Sequence, residues 1–188
     1  MADHKKFTIE ERVRWGDVDA ARIIFYGAYI HFFEFAETEL FRAVGLHYGV
    51  MFDELQIWLP RVHLECDFHR AARLDDILEV RVWVARFGTK SMKLNFEVRR
   101  KGSDEMVATA HFVLAAVNQQ TFETVPIPAE LREKLAPYTA NEDQKRRRFR
   151  TTLHSKVSMK RRSIEIRSSS FSFGSTTRSP RGCRCPKR

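Results

Sequence analysis

One stretch with helical apolar spacing, followed by four stretches with strand spacing, limits what this chain can fold into. From Gly27 to Val44, the residues Ile30, Phe33, Ala36, Leu40, Phe41 and Val44 recur at the 3.6-residue period, and Gly45 stands where a helix C-cap is expected. Before it, Phe7, Ile9 and Val13 alternate with Thr8, Glu10 and Arg12, which predicts a first strand. After it, Val62, Leu64, Cys66 and Phe68 alternate with polar neighbours, as do Leu78, Val80, Val82 and Val84, and then Met92, Leu94, Phe96 and Val98. Met106 to Val117 is almost continuously apolar, as a central strand covered on both faces would be. Arg73-Leu-Asp-Asp76, Phe87-Gly-Thr89 and Lys101-Gly-Ser-Asp104 read as turns. Three hairpin-like connections predict an antiparallel sheet with one long helix on a face, an α+β arrangement.

Charge divides the chain of 188 residues into two parts. Residues 1–140 carry 18 Lys+Arg against 21 Asp+Glu, a net of −3, whereas residues 141–188 carry 15 against 3, a net of +12. The basic character therefore belongs to the tail, which opens on Lys145-Arg-Arg-Arg148, holds Ser168-Ser-Ser170 and shows no apolar period. The domain reading is one folded domain over 1–140 and a basic, disordered tail over 141–188, an unusual extension or a shifted reading frame. The tail's charge would suit nucleic acid or an anionic membrane, although it lacks interleaved aromatics and amphipathic spacing. Cys66, Cys183 and Cys185 form no disulfide framework and no zinc spacing. A reducing, cytoplasmic location is expected, with no signal peptide and no membrane span.

The loop ahead of the long helix carries the chemistry. It reads Val13-Arg-Trp-Gly-Asp-Val-Asp-Ala-Ala-Arg-Ile-Ile-Phe-Tyr-Gly-Ala-Tyr29. Asp17 and Asp19 precede a helix start, where unpaired N–H groups and the positive dipole end gather. Such an end polarises a carbonyl, and a neighbouring carboxylate can attack that carbonyl or activate water. The same spacing also fits one capping and one solvated aspartate.

The wider segment resembles the 4-hydroxybenzoyl-CoA thioesterase family and its Tol–Pal-linked relatives over about residues 6–137. The resemblance is carried by the Asp17-Val-Asp19 pair, Ile23-Ile-Phe-Tyr26, Tyr29, Phe33-Glu34 and Glu39-Leu-Phe-Arg42, and continues through Phe68 to Glu79 and Gly88-Thr-Lys-Ser91. It implies a hotdog fold, in which an antiparallel sheet wraps one long helix, and acyl-CoA hydrolysis without cofactor or metal. It implies a homodimer or a homotetramer built on dimers. Asp19 takes the position of the family's catalytic carboxylate, as nucleophile or general base. The backbone N–H at Tyr26, beside Gly27, takes that of the oxyanion donor, and Asp17 orients the loop. The chain departs at Ala20-Ala21-Arg22, where Pro-Ala-Gly or Ala-Gly-Gly is usual, at Ala28 in place of Asn, and at Glu37 in place of a basic residue.

Binding of CoA phosphates calls for cations. Arg86, Lys90 and Ser91 at one turn match positions that family members use for the nucleotide, and Arg73 is a further candidate, although a solvated hairpin tip explains them equally. Glu34 on the helix reads as structural beside Asp19. His31, His47, His63 and His69 are scattered and read as surface or strand-face residues, while Tyr29, Phe32, Phe33, Phe35 and Phe41 form an aromatic stripe that is mostly core. Two other readings stand beside the thioesterase: a non-catalytic hotdog binding module, which Arg22 favours, and a hotdog dehydratase or hydratase, for which no His–carboxylate signature is visible.

Overall fold

The structure is a computed structural model that describes residues 5–103 and 105–140. The predicted tail over 141–188 lies outside the described residues. Strand β1 (Phe7–Arg12) leads through the Asp17–Asp19 loop and a 3-10 turn (Tyr26–Ala28) into helix α1 (Tyr29–Ala43). A short helix α2 (Tyr48–Asp53) and strand β2 (Ile57–Trp58) follow. Then come β3 (Arg61–Phe68), β4 (Ile77–Phe87), β5 (Ser91–Arg100), β6 (Met106–Ala115), β7 (Val117–Asn118) and α3 (Ala129–Leu135).

Helix α1 ends as its sequence demands. Gly45 adopts φ +72, Leu46 N–H donates to Phe41 O at 2.8 Å, and Gly45 N–H donates to Arg42 O at 3.0 Å. These two bonds form a Schellman cap, which needs a left-handed residue that glycine supplies without a Cβ clash. The apolar stripe of α1 lies on the sheet. Phe33 is fully buried and packs against Phe96 at 5.0 Å and edge-on against Phe112 at 5.6 Å between ring centroids. Each such ring contributes about 1.5–3 kcal/mol through removal from water.

The main sheet runs β1-β4-β5-β6-β3, antiparallel throughout, with β2 and β7 forming a separate two-stranded ribbon. Two of the three expected hairpins are present, β4–β5 and β5–β6. The third expectation is corrected. Arg73–Asp76 does not close a hairpin, because β3 pairs with β6 and β4 pairs with β1, so the chain crosses the sheet end between them. A turn sequence stops a strand but leaves its partner undetermined.

Strand β6 is also less covered than its apolar run predicts, since one face is buried and the other is mostly half-exposed. Strand β3 departs furthest from expectation. It is the sheet edge, and Val62, Leu64 and Phe68 are 62%, 42% and 54% exposed. Leu64 stands opposite Phe112 and therefore on the helix side of the sheet, but α1 does not reach over it.

Candidate active site

The loop between β1 and α1 is closed by its own backbone. Phe25 N–H donates to Asp17 O at 2.8 Å and Asp19 N–H to Ile23 O at 3.0 Å, while Ile24 N–H donates to Ala72 O at 2.9 Å and ties the loop to the β3–β4 crossover. The two aspartates divide the work. Asp17 Oδ2 accepts the Arg14 N–H at 2.7 Å, closing the short turn Trp15–Asp17. Asp19 Oδ1 accepts the Ala21 N–H at 2.8 Å, and Asp19 O accepts the Arg22 N–H at 2.9 Å. Its second carboxylate oxygen has no hydrogen bond among the described residues, and the side chain is exposed. Asp19 is thus fixed in direction by one oxygen and leaves the other free.

Arg22, in the position where a glycine is usual, adopts φ 61. That is the left-handed region a glycine would occupy at little cost, so the loop keeps the backbone path while carrying a guanidinium.

Asp19 borders two clefts. One, of about 540 Å³, is lined by Trp15, Val18, Asp19, Ala20, Arg22 and Leu74. The other, of about 350 Å³, brings Asp19 together with Tyr26, Tyr29, Phe68, His69 and Arg70. Tyr26 begins the 3-10 turn that runs straight into α1, and the N–H groups of Tyr26 and Gly27 have no acceptor among the described residues. Gly27 lies close under the Phe25 ring, where a Cβ would stand 2.5 Å from the ring edge and turn it aside. Burial pushes the Tyr29 hydroxyl up to about 12. Burial likewise pushes the Cys66 thiol up to about 11, which removes it as a thiolate nucleophile.

The other site residues read from the sequence separate into two groups. Arg73 lies at the Asp19 end. Ile23 and Arg73 form a β-bridge, and the Arg73 N–H donates to Asp76 Oδ2 at 2.9 Å. Arg86, Lys90 and Ser91 lie at the far end of β4, a strand whose 11 residues span about 33–36 Å. Arg86 is exposed, Lys90 Nζ donates to Thr124 Oγ1 at 3.2 Å, and Ser91 O accepts the Gly88 N–H at 2.7 Å. A single chain does not bring this hairpin to Asp19.

Four cleft residues escape a reading of the sequence: Trp15, Leu74, His69 and Arg70. The only available signal for His69 and Arg70 is their place in the Phe68–Glu79 block, since they reach Asp19 only through the crossover. On the helix, Glu34 is exposed, whereas Glu37 is completely buried. Tyr48 Oη donates to Glu37 Oε1 at 3.0 Å, and the Arg61 guanidinium lies 3.0 Å from Oε2 in an ion-pair contact outside hydrogen-bond geometry. Burial raises the Glu37 carboxyl above its ordinary value of 4.5, and the Arg61 charge only partly offsets this.

Comparison with known proteins identifies the family and the fold. A family model described as the thioesterase-like superfamily matches residues 13–135. The acyl-CoA thioesterase YbgC of Haemophilus influenzae is 30% identical over 126 residues, 67% of this chain and 91% of that protein. A 1,4-dihydroxy-2-naphthoyl-CoA hydrolase of Synechococcus elongatus is 26% identical over 136 residues, 72% of this chain and 96% of that one. Among solved structures, a 1,4-dihydroxy-2-naphthoyl-CoA thioesterase from Synechocystis superposes with a TM-score of 0.66 at 19% identity, over 70% of this chain and 96% of its own, which supports the hotdog fold. The chain belongs to the thioesterase-like superfamily, as a thioester hydrolase of hotdog fold.

Proposed function

We propose that this protein hydrolyses an aromatic or short- to medium-chain acyl-CoA to the free carboxylic acid and CoA, with Asp19 as the catalytic carboxylate. The observation that carries this reading is the second cleft, where a carboxylate with one free oxygen shares a wall with the unpaired N–H at the start of α1. A thioester carbonyl oxygen bound at Tyr26 N–H would gain electrostatic stabilisation as its C=O bond opens, a contribution of about 2.7–4 kcal/mol for one such donor in other enzymes. Asp19 would then either add to the carbonyl carbon, expelling CoA as the thiolate and leaving a mixed anhydride that a water molecule hydrolyses to the free acid, or take a proton from the attacking water and pass it to the departing sulfur, so that CoA leaves as the thiol. Gly27 would keep the turn open to the substrate. Trp15, Tyr26 and Phe68 are 80%, 70% and 54% exposed around Asp19, and such rings suit an aryl or acyl group.

The nucleotide end of CoA would be held by Arg73 and by the hairpin of Arg86, Lys90 and Ser91 on a second copy of the chain. The exposed apolar edge strand β3 supports a homodimer, or a homotetramer built from two. Antiparallel pairing of two β3 edges sets the hairpin end of one sheet beside the Asp19 end of the other. A reducing, cytoplasmic site of action fits Cys66 as a free thiol, and no described helix is long and apolar enough to cross a membrane.

The test is free-thiol release from a panel of acyl-CoAs by wild type and Asp19→Asn. A loss of about a hundredfold, roughly 2.7 kcal/mol of transition-state stabilisation, is expected in the variant. Equal rates would remove Asp19 from the mechanism. Removal of residues 141–188 should leave turnover unchanged in the same assay.

A hydratase reading has one observation in its favour, because His69 shares the cleft with Asp19. Its ring Nε2 is already engaged with Thr109 Oγ1 at 2.9 Å. Loss of enoyl-CoA absorbance without thiol release would favour it. The binding-module reading rests on Arg22, which keeps the loop path of a glycine and places a guanidinium in the cleft wall; CoA binding without thiol release would favour it.

A further inference from the structure

The face of the sheet turned away from α1 carries a cluster that the thioesterase chemistry does not use. Phe112 of β6 packs on Phe33 of the helix, so its neighbour His111 points to the opposite face. Glu65 of β3 stands directly opposite His111, and His63 lies two residues earlier on the same strand and face. The Glu65 carboxylate has two ion-pair partners among the described residues, and both are imidazoles: His111 Nε2 at 3.5 Å and His63 Nε2 at 3.8 Å. The two rings stack with centroids 5.2 Å apart. Among the described residues no lysine or arginine pairs with this carboxylate.

We propose that His63, Glu65 and His111 bind a divalent transition-metal ion, with Zn2+ the first choice, at a site separate from Asp19. One donor atom from each residue already lies within 4.8 Å of the other two. Zinc takes His nitrogen and carboxylate oxygen at about 2.0–2.2 Å, which sets tetrahedral donors about 3.4 Å apart. The His111–Glu65 pair is at that spacing, and the wider pairs close by side-chain rotation of His63 and Glu65, both more than half exposed. The backbones that carry them do not need to move, since β3 and β6 are joined in continuous register from His63 to Phe68.

A second observation points the same way. Asn95 of β5 stands directly opposite His111 on the same face, and its Oδ1 is buried without a hydrogen-bond partner. A buried acceptor rarely goes unsatisfied. Here it stands ready for the second ring N–H of a metal-bound His111 or for a metal-bound water, the usual outer partners of such a site. Mg2+ and Ca2+ are held by oxygen ligands, which two imidazoles do not supply. Two imidazoles with one carboxylate select Zn2+, Ni2+ or Cu2+ instead. An ion there would join the exposed edge strand β3 to β6 and stabilise the folded chain by mass action.

The experiment uses the tag-free full chain, freed of metal by chelation and titrated with Zn2+ by calorimetry. In parallel, Co2+ absorption reports the ligand type. One ion per chain is expected, with a nitrogen/oxygen cobalt spectrum and a rise in Tm on Zn2+ addition. His63→Ala and His111→Ala should each abolish the binding and the Tm rise while leaving the circular dichroism unchanged, since both side chains are at least partly exposed. Retention of the binding in His111→Ala would overturn the proposal, as would the absence of Zn2+ binding by wild type. A thiolate-to-cobalt charge-transfer band would also overturn it, by assigning the ion to Cys66, Cys183 or Cys185.

Discussion

Strands β3 and β5 carry the same period-two pattern and meet opposite fates. In β5, Met92, Leu94, Phe96 and Val98 are 1%, 0%, 1% and 0% exposed. In β3, Leu64 and Phe68 remain open to solvent on the same side of the sheet, and Val62 is exposed at the irregularity between Arg61 and His63. The difference is position: β5 lies at the centre of the sheet, beneath α1, while β3 has a hydrogen-bonded neighbour on one side only. A single 15-residue helix covers the middle of a five-stranded sheet and leaves its edge bare. Alternation therefore names the apolar face of a strand and says nothing about what covers it. An exposed apolar edge is a surface for another chain.

The sharpest way to break this comparison is to truncate one ring on each strand. Phe96→Ala should cost about 3–5 kcal/mol in urea unfolding, the range for a large buried ring that leaves a cavity. Phe68→Ala should cost far less in dilute protein and progressively more at higher concentration, if a second copy covers β3. A concentration-independent loss equal to that of Phe96→Ala would show that β3 is core within one chain.

Next in size is the anchor at the start of β3. Arg61→Met would leave the buried Glu37 carboxylate without its cation, at a cost of about 3–5 kcal/mol at neutral pH. The sign of the pH dependence follows from burial. The Glu37 carboxyl is raised in the folded state, so its contribution to stability is fully present below its ordinary value of 4.5 and is lost as pH rises through the folded value. Chemical denaturation across this range should therefore show wild type falling behind Glu37→Gln as pH rises from 4.5. A flat difference would mean that Arg61 fully neutralises the burial cost.

Two smaller effects sharpen the picture. Leu64→Glu on the edge should change unfolding free energy in dilute protein by no more than about 0.5 kcal/mol, as for other exposed positions. It should nevertheless shift the sedimentation profile toward monomer. Arg22→Gly should leave the loop path unchanged, and relief of the left-handed strain should raise stability by about 0.5–1 kcal/mol after the entropy cost of glycine. Any change in acyl-CoA preference in that variant would report the guanidinium's place in the Trp15–Leu74 cleft.

Much of this was legible in the residues. The helical stripe from Ile30 to Val44 and the Gly45 stop correspond to α1 and its cap, because both depend on neighbours within one or two turns. The Asp17–Asp19 loop was legible for the same reason, since the bonds of the two aspartates run between residues at most eight positions apart, whereas its tie from Ile24 to Ala72 was not. The hairpins at Gly88 and Gly102 were read from local turn chemistry. The Arg73–Asp76 segment was read as a hairpin on the same grounds and is a crossover, because which strand lies beside β4 depends on β1, more than sixty residues away in sequence. His63 and His111 stand on different strands with no spacing signal between them, and only the β3–β6 register brings both imidazoles to Glu65.

The sequence by itself determined the order of the long helix and the five strands of the main sheet, the carboxylate loop ahead of the helix and membership of a thioesterase family, since all three rest on local pattern and short motifs; α2, β2, β7 and α3 were not read from it. Tertiary structure alone decided the strand order, the burial of Glu37 against Arg61, the walls of the clefts at Asp19 and the bareness of β3. Each of these depends on which distant segments become neighbours, and that is settled by packing of the whole sheet on α1 rather than by any one segment's preference.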